Sequence, residues 1–325
     1  MGKRLLNVQK YVPGGMRGGW EHGFLERMTS ITSKWRSEED YFAAQVWSRA
    51  ALWLEENHQQ EKPFLLWVDC FDPHEPFLVP KRYADLYDTP DYNGVDPIQP
   101  KYGPTDYLTP RELERMRHLY AADVSFVDHW FGMFVGKLKA LGLLETTLIC
   151  LTSDHGFQLG EHGVVGKVPA ALWGDLHDVP FIVRHPEGIG AGKRFDAFVQ
   201  SQDMFTTVLR FLDVPDPYPL DGKDLWPVIQ GKGRKVRDYL TCGYTTHVRA
   251  VDDEYSYVSL KSGEQPQLCD LRNDPAETIN LAKDKPAVVR RMWDYIREDA
   301  QQKPILPDWS NSPLFHARRT IQDHI

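Results

Sequence analysis

Periodic order in the chain begins at Ser37-Glu38-Glu39-Asp40, a polar quartet laid out as a capping box with Asp in the closing position. Apolar residues then recur at Phe42, Val46, Ala50, Trp53 and Leu54, the spacing of an amphipathic helix that fades near Asn57. Next comes a continuous apolar run, Pro63-Phe-Leu-Leu-Trp-Val68, bounded by prolines. Such a run predicts a strand buried on both faces, as in a parallel sheet. Residues 76–108 are rich in Pro, Tyr, Asp and Gly and predict an ordered surface excursion. Thr109-Pro110-Arg111-Glu112 opens a second helix, with Thr as cap, Pro in the first turn and Glu closing the box. It runs towards Leu141 and stops at Gly142.

Two more apolar runs, Thr147–Thr152 and Val179–Arg184, predict further buried strands, and Asp203–Leu212 a covering helix. Helix, strand, helix, strand in this order implies a doubly wound α/β sheet with right-handed crossovers. Beyond about residue 235 the period shortens. Tyr239–Tyr244, Val248–Val251 and Tyr255–Leu260 predict short antiparallel strands, with a helix at Pro286–Asp299 against them. The expected division is a poorly organised basic leader over 1–36, an α/β core over 37–232, and a C-terminal subdomain with tail over 233–325.

A chain of 325 residues buries a substantial core. The formal charge of -8 argues against a nucleic-acid partner. No apolar run reaches the length of a membrane span. The N-terminal stretch lacks the hydrophobic segment of a secretory signal, which favours the cytoplasm. Leu6 stands where a myristoylation motif needs Ser or Thr. Cys70 and Cys150 end apolar runs, as small core residues with reduced thiols do. Nothing in the sequence fixes an oligomeric state.

Ligands in open α/β sheets bind outside the carboxyl ends of the strands. One such end carries Asp69, Asp72 and His74; another carries Asp154 and His155, followed by Glu161, His162 and Lys167. A carboxylate and an imidazole on adjacent residues reach one metal only where the backbone turns, and Gly156 is expected to supply that turn. Oxygen plus nitrogen ligation suits a divalent ion, Ca2+ or Mn2+. The alternative is an Asp that caps nearby amides. Lys167, after a glycine-rich loop, either neutralises anionic oxygens or is solvated. His74, between prolines, either protonates a leaving oxygen or is structural. His162 and His177 are equally ambiguous, and the spacing of His155, Glu161 and His162 fits no common zinc pattern. His247, Arg249 and Tyr244 in the C-terminal sheet are further candidates to face the cleft.

Four stretches, in order, resemble the sulfatase family of the alkaline-phosphatase superfamily: PFLLWVDCFDPHEPF, YAADVSFVDHWFGMFVGKLKALGLLETTLICLTSDHGFQLGEHGVVGK, DVPFIVRHP and LCDLRNDPAETINLA. The resemblance covers roughly residues 40–300. It implies an alkaline-phosphatase-like α/β/α sandwich with a small C-terminal antiparallel sheet, and metal-dependent hydrolysis of a small-molecule sulfate ester. Carried over, Asp154 and His155 become metal ligands, Lys167 a contact to sulfate oxygens, and His74 a contact to sulfate or leaving group. His162 and His247 are candidate substrate contacts. Many relatives have Asn where this chain has His155. Asp-His is similar to a subset that includes phosphonate monoester hydrolases.

One family feature is missing. Sulfatases carry an acidic ligand pair and a Cys/Ser-x-Pro-x-Arg nucleophile motif near the N-terminus. No Cys or Ser in this chain has Pro two positions on and Arg four on, and the only similar acidic pair, Asp252-Asp253, lies in the C-terminal sheet. The expectation is a chain that starts after the nucleophile and is nearly inactive alone, since covalent catalysis needs that group. The other readings are a phosphonate monoester or phosphodiester hydrolase, and a non-catalytic product that binds anions or a partner.

Overall fold

The computed structural model describes residues 25–301 except 26, 29, 60, 61 and 88. Most of the expected leader therefore lies outside the described residues, as does the tail after 301. Leu25, within the span read as leader, is fully buried. The described chain falls into two compact units: one runs to Thr147 and takes in Leu159–Gly166, and the other comprises Leu148–Gln158 and the residues from Lys167 on. The boundary expected at residue 232 falls inside the second.

In the first unit, Ser37 and Asp40 do form a capping box, but around a 3-10 turn, Glu38–Asp40. Helix α1, Phe42–Asn57, begins just after it. A one-turn helix α2, Lys81–Ala84, leads through the excursion to β1, Gly103–Pro104. The long helix α3 spans Pro110–Ala140, with Thr109 accepting from the Glu112 amide and Glu112 bonding back. Its end at Leu141, with Gly142 at φ +71°, is where local chemistry puts it. Helices α1 and α3 pack through Trp47, whose ring centroid lies 5.2 Å from Phe131 and 5.4 Å from Phe134. Truncating a ring so enclosed costs about 3–5 kcal/mol.

The first apolar run departs from expectation. Residues 63–71 form neither helix nor ladder strand, Asp72 opens a turn, and exposure alternates strictly along the segment. Leu65 is 76% exposed and Trp67 72%. No strand ladder joins this segment to a described residue. It is a segment with one solvent face, where burial on both faces was expected.

The second unit holds β2, Ile149–Thr152, which opens the segment ending in β3, Gln158–Leu159. Strand β4, Val164–Gly166, belongs to the first unit, where it pairs with β1. A one-turn helix α4, Gly174–His177, precedes β5, Phe181–Arg184. Strands β2 and β5 are antiparallel neighbours, Ile149 opposite Arg184 and Thr152 opposite Phe181. The parallel crossover expected between these two runs is therefore absent. An apolar run specifies a strand, but its direction follows from the path of the connecting chain.

Helix α5, Ser201–Phe211, is followed by the one-turn α6, Trp226–Ile229, whose buried Trp226 and Ile229 pack with Phe181 and Val183. Arg237 grips fully buried Asp203 through both carboxylate oxygens at 2.6 Å. Then come β6, Tyr239–Tyr244, β7, His247–Asp252, β8, Tyr255–Leu260, and β9, Gln267–Asp270, an antiparallel meander in chain order. Helix α7, Pro286–Asp299, lays Met292 and Ile296 on Val248, Ala250, Tyr257 and Leu268. Consecutive residues such as Val248, Arg249 and Ala250 are all buried, so the sheet is covered on both faces, with α7 on one of them.

Candidate functional site

Strand β2 ends at Thr152, and the chain turns through Ser153 so that Asp154 and His155 come to the same place. Asp154 Oδ1 accepts the His155 amide at 2.9 Å, and Oδ2 lies 3.2 Å from His155 Nε2. The other ring nitrogen, Nδ1, sits 2.9 Å from the Gly156 carbonyl. That carbonyl only accepts, so Nδ1 carries the proton. In the neutral ring, Nε2 is then a bare lone pair facing a carboxylate oxygen. Two acceptors at 3.2 Å call for a cation between them, a proton or a metal.

The separation also suits a metal. Adjacent vertices of an octahedral shell with bonds of about 2.3 Å stand about 3.2 Å apart. A backbone carbonyl on the remote imidazole nitrogen is the usual support of a ligating histidine. Asp154 is 82% exposed, so it is open to an ion from solvent. No group of three or more His, Cys, Asp or Glu side chains among the described residues is placed to hold a metal. Asp154 and His155 thus fit as two ligands of a larger set.

Gly156 works differently from expectation. Its φ lies outside the left-handed region, so the turn does not need glycine's conformational range. Instead, its N–H donates to the Leu176 carbonyl at 2.7 Å, and the chain there passes so close that any Cβ would run into the Asp175 carbonyl. Glycine is required for close approach.

Lys167, in the same unit, holds its ammonium 5.8 Å from the centre of the Phe157 ring, beside the residue after Gly156. His247 begins β7 and pairs with Thr246 Oγ1 at 3.0 Å; partial burial pulls its imidazole below the ordinary value. In the first unit, His74 stacks on Phe71 with centroids 4.3 Å apart. Its Nδ1 lies 2.8 Å from the Glu75 carbonyl and 3.3 Å from buried Glu75 Oε2. Glu75 is also held by the Tyr102 hydroxyl. His162, also in the first unit, sits in a tight turn at φ +52°.

The sequence does not reveal two environments. His177, on α4, has its ring nitrogens 3.7 and 3.8 Å from Cys242 Sγ. Burial first, then the charges of Arg249 and His155, push this imidazole down to about 4. In the first unit, Asp123 on α3 is 1% exposed with both carboxylate oxygens unpartnered, and burial beside Asp72 pushes its carboxyl well up. Asp72 accepts the Ala43 amide at 2.7 Å, yet burial raises it to about 6. Asp123 occupies a register position on α3 that apolar periodicity assigns to the core, which is the one signal that marked it. All four cysteines are free. Burial raises Cys70 to about 12 and Cys150 to about 11, values of unreactive thiols.

The family described as Sulfatase matches residues 10–214, and the one described as N-sulphoglucosamine sulphohydrolase, C-terminal, matches residues 160–302. A protein named Sulfatase from Formosa agariphila is 30% identical over 256 residues, 72% of this chain and 49% of its own length. An Arylsulfatase from Clostridium perfringens is 26% identical, covering 73% of this chain and 52% of its own. The crystal structure of a phosphonate monoester hydrolase of Agrobacterium radiobacter superposes with a TM-score of 0.69 at 24% identity, over 82% of this chain and 62% of that one. The likeness gives the alkaline-phosphatase-like α/β/α fold. The chain spans about half the length of the curated relatives it matches.

Proposed function

The chain belongs to the sulfatase family, and from that premise we propose that the whole protein hydrolyses organic sulfate monoesters at a divalent-metal site. The observation that carries the reading is the convergence of Asp154 Oδ2 and His155 Nε2 at 3.2 Å, with the other His155 nitrogen turned to the Gly156 carbonyl. Asp154 and His155 would hold the ion, Ca2+ or Mn2+. Bound there, it supplies Lewis-acid polarisation of a sulfate oxygen.

The remaining roles fall to this chain's own side chains. Lys167 neutralises charge on the sulfate oxygens. His74, with Nδ1 occupied by the Glu75 carbonyl and the Glu75 carboxylate as counter-charge, offers Nε2–H to the leaving oxygen when protonated. His162 and His247 are assigned to the organic part of the substrate. We assign the attacking group to none of these 325 residues, because no Cys or Ser has the x-Pro-x-Arg context. These residues alone are expected to leave an aryl sulfate intact.

The test compares aryl sulfate with aryl phosphonate as substrates of the whole protein, with Mn2+ or Ca2+ added. Turnover of the sulfate, lost in Asp154→Ala, supports the reading, and a large phosphonate preference overturns it. Because Asp154 is so exposed, the alanine variant should keep its stability to within about 0.5 kcal/mol. The second reading, a phosphonate monoester hydrolase, is favoured by the Agrobacterium radiobacter likeness. A third, a non-catalytic product that binds anions, predicts no turnover of either ester with any nucleophile-bearing form of the protein.

A further inference from the structure

The C-terminal motif Asp274-Pro275-Ala276-Glu277 has no part in the roles assigned above, yet its glutamate is 6% exposed. Glu277 is held at φ +54°, a conformation a side-chain-bearing residue rarely adopts. Its loop is braced by Asp274, which accepts the Thr278 hydroxyl and the Ile279 amide. Glu277 Oε1 takes a hydrogen bond from the Arg249 guanidinium at 3.1 Å, and Arg249 Nε donates to Ser256 Oγ at 3.1 Å. This ion pair is nearly closed to solvent, with side chains 4% and 5% exposed. A buried pair of this kind is weak evidence for stability and better evidence that geometry is being specified.

The second carboxylate oxygen shows what is specified. Glu277 Oε2 accepts the Gly174 amide at 2.6 Å, the first N–H of α4. That helix is one turn long and is closed by the Asp178 amide on the Gly174 carbonyl at 2.7 Å. Its Leu176 packs with Leu172 and Val258, and the Leu176 carbonyl accepts the Gly156 amide at 2.7 Å. The Gly156 carbonyl in turn faces His155 Nδ1. Hydrogen bonds therefore run from Glu277 through Gly174 and α4 to Gly156 and the imidazole that meets Asp154. A one-turn helix has too few internal bonds to fix its own place, so an outside grip on its first amide decides where its carbonyl end lies.

We infer that Glu277, oriented by Arg249, is a positioning residue that sets the Asp154–His155 turn through α4. The inference rests on the proposed metal site for its functional meaning, although the linkage itself is independent of any ion. It links the C-terminal motif to the metal turn.

The test uses the full chain with hydrogen exchange of the 153–158 and 173–178 segments, and Mn2+ binding read by electron paramagnetic resonance. Glu277→Ala should speed exchange at both segments about tenfold, the effect of losing one buried hydrogen bond, while α5 in the same unit stays as protected as before. Mn2+ affinity should fall by a similar factor. Glu277→Gln, which keeps an acceptor for Gly174, should restore much of the protection at 173–178.

Should Glu277→Ala fail to fold, Gly174→Pro decides. Proline is acceptable at a first helical position, and Trp173 has an extended backbone. The change removes the N–H that Glu277 grips, and the ring carbon that replaces it pushes Glu277 Oε2 away from α4. Faster exchange at 153–158 in a folded variant supports the inference whether or not the wild-type chain binds Mn2+, since Asp154 and His155 are only part of a ligand set. Unchanged exchange at 153–158 in a folded Glu277→Ala or Gly174→Pro protein overturns it, whatever Mn2+ does.

Discussion

Replacing Gly156 by Ala isolates the steric demand at the turn. The backbone there lies outside the left-handed region, so alanine meets no conformational penalty and the cost is contact alone. A Cβ would stand 3.1 Å from the Asp175 carbonyl carbon and 3.2 Å from Leu176 Cα, and closer still to the Asp175 oxygen. All three are backbone atoms, which cannot swing aside as a flexible side chain does. Clearing the oxygen requires a separation of roughly 1 Å. The Gly156 N–H to Leu176 carbonyl bond, now 2.7 Å, cannot survive that. Overpacking of this sort costs about 1–3 kcal/mol, and the lost bond adds about 1 kcal/mol. The sum, about 2–4 kcal/mol, corresponds for a chain of this length to a melting temperature lower by roughly 3–6 °C. Scanning calorimetry on both proteins measures the shift, and hydrogen exchange at 153–158 shows whether the loosening is local. A loss under about 0.5 kcal/mol, with the Gly156 amide as protected as in wild type, would refute the reasoning.

Asp203→Ala should cost about 3–5 kcal/mol in urea unfolding, since it strands Arg237 and removes the acceptor of the Gln200 and Lys223 amides; a loss below 1 kcal/mol would contradict that. Two buried groups, one in each unit, should respond to pH in opposite senses. Asp72 has a folded value of about 6, raised by burial from 3.8, so folding favours its proton. Its contribution is full below about pH 4 and is lost as pH rises to about 6, up to about 3 kcal/mol, with Asp123 acting in the same direction. Asp72→Asn should flatten that limb in unfolding followed from pH 4 to 7, and a slope that persists would exclude Asp72 as its source. His177 has a folded value lowered to about 4, so folding disfavours its proton. Its contribution is full above about pH 6.5 and is lost as pH falls towards 4. His177→Gln should remove the acid-side loss from the second unit, and an unchanged acid limb would show that another group carries it.

Much was legible because its cause is local. Thr109-Pro110 and Pro286 mark where helices begin, since a cap and a proline in the first turn act within four residues of themselves. The strands at 239–244, 247–252 and 255–260 could be read because short runs rich in aromatic and β-branched residues are separated by turn residues. Asp154 and His155 were found as a pair because they are adjacent at the end of an apolar strand run.

What the sequence could not reveal depends on which chain segment lies next to which. The run 63–68 has the composition of a doubly buried strand, yet Leu65 and Trp67 face solvent, because burial is a property of neighbours and no described strand lies alongside. The antiparallel pairing of β2 with β5 was likewise invisible, since an apolar strand reads the same in either direction. Gly156 stood out in the sequence, but for the wrong reason: only packing showed that the Asp175 carbonyl excludes a side chain there. Glu277 lies 122 positions beyond His155 in the numbering. Its link to the Asp154–His155 turn runs through Gly174 and Leu176, two backbone groups that sequence cannot distinguish from any others. Residue types thus determined the helices, the C-terminal strands and the chemistry available at the turn. Tertiary contacts alone decided which of those groups meet, because hydrogen bonds and burial depend on distance in space.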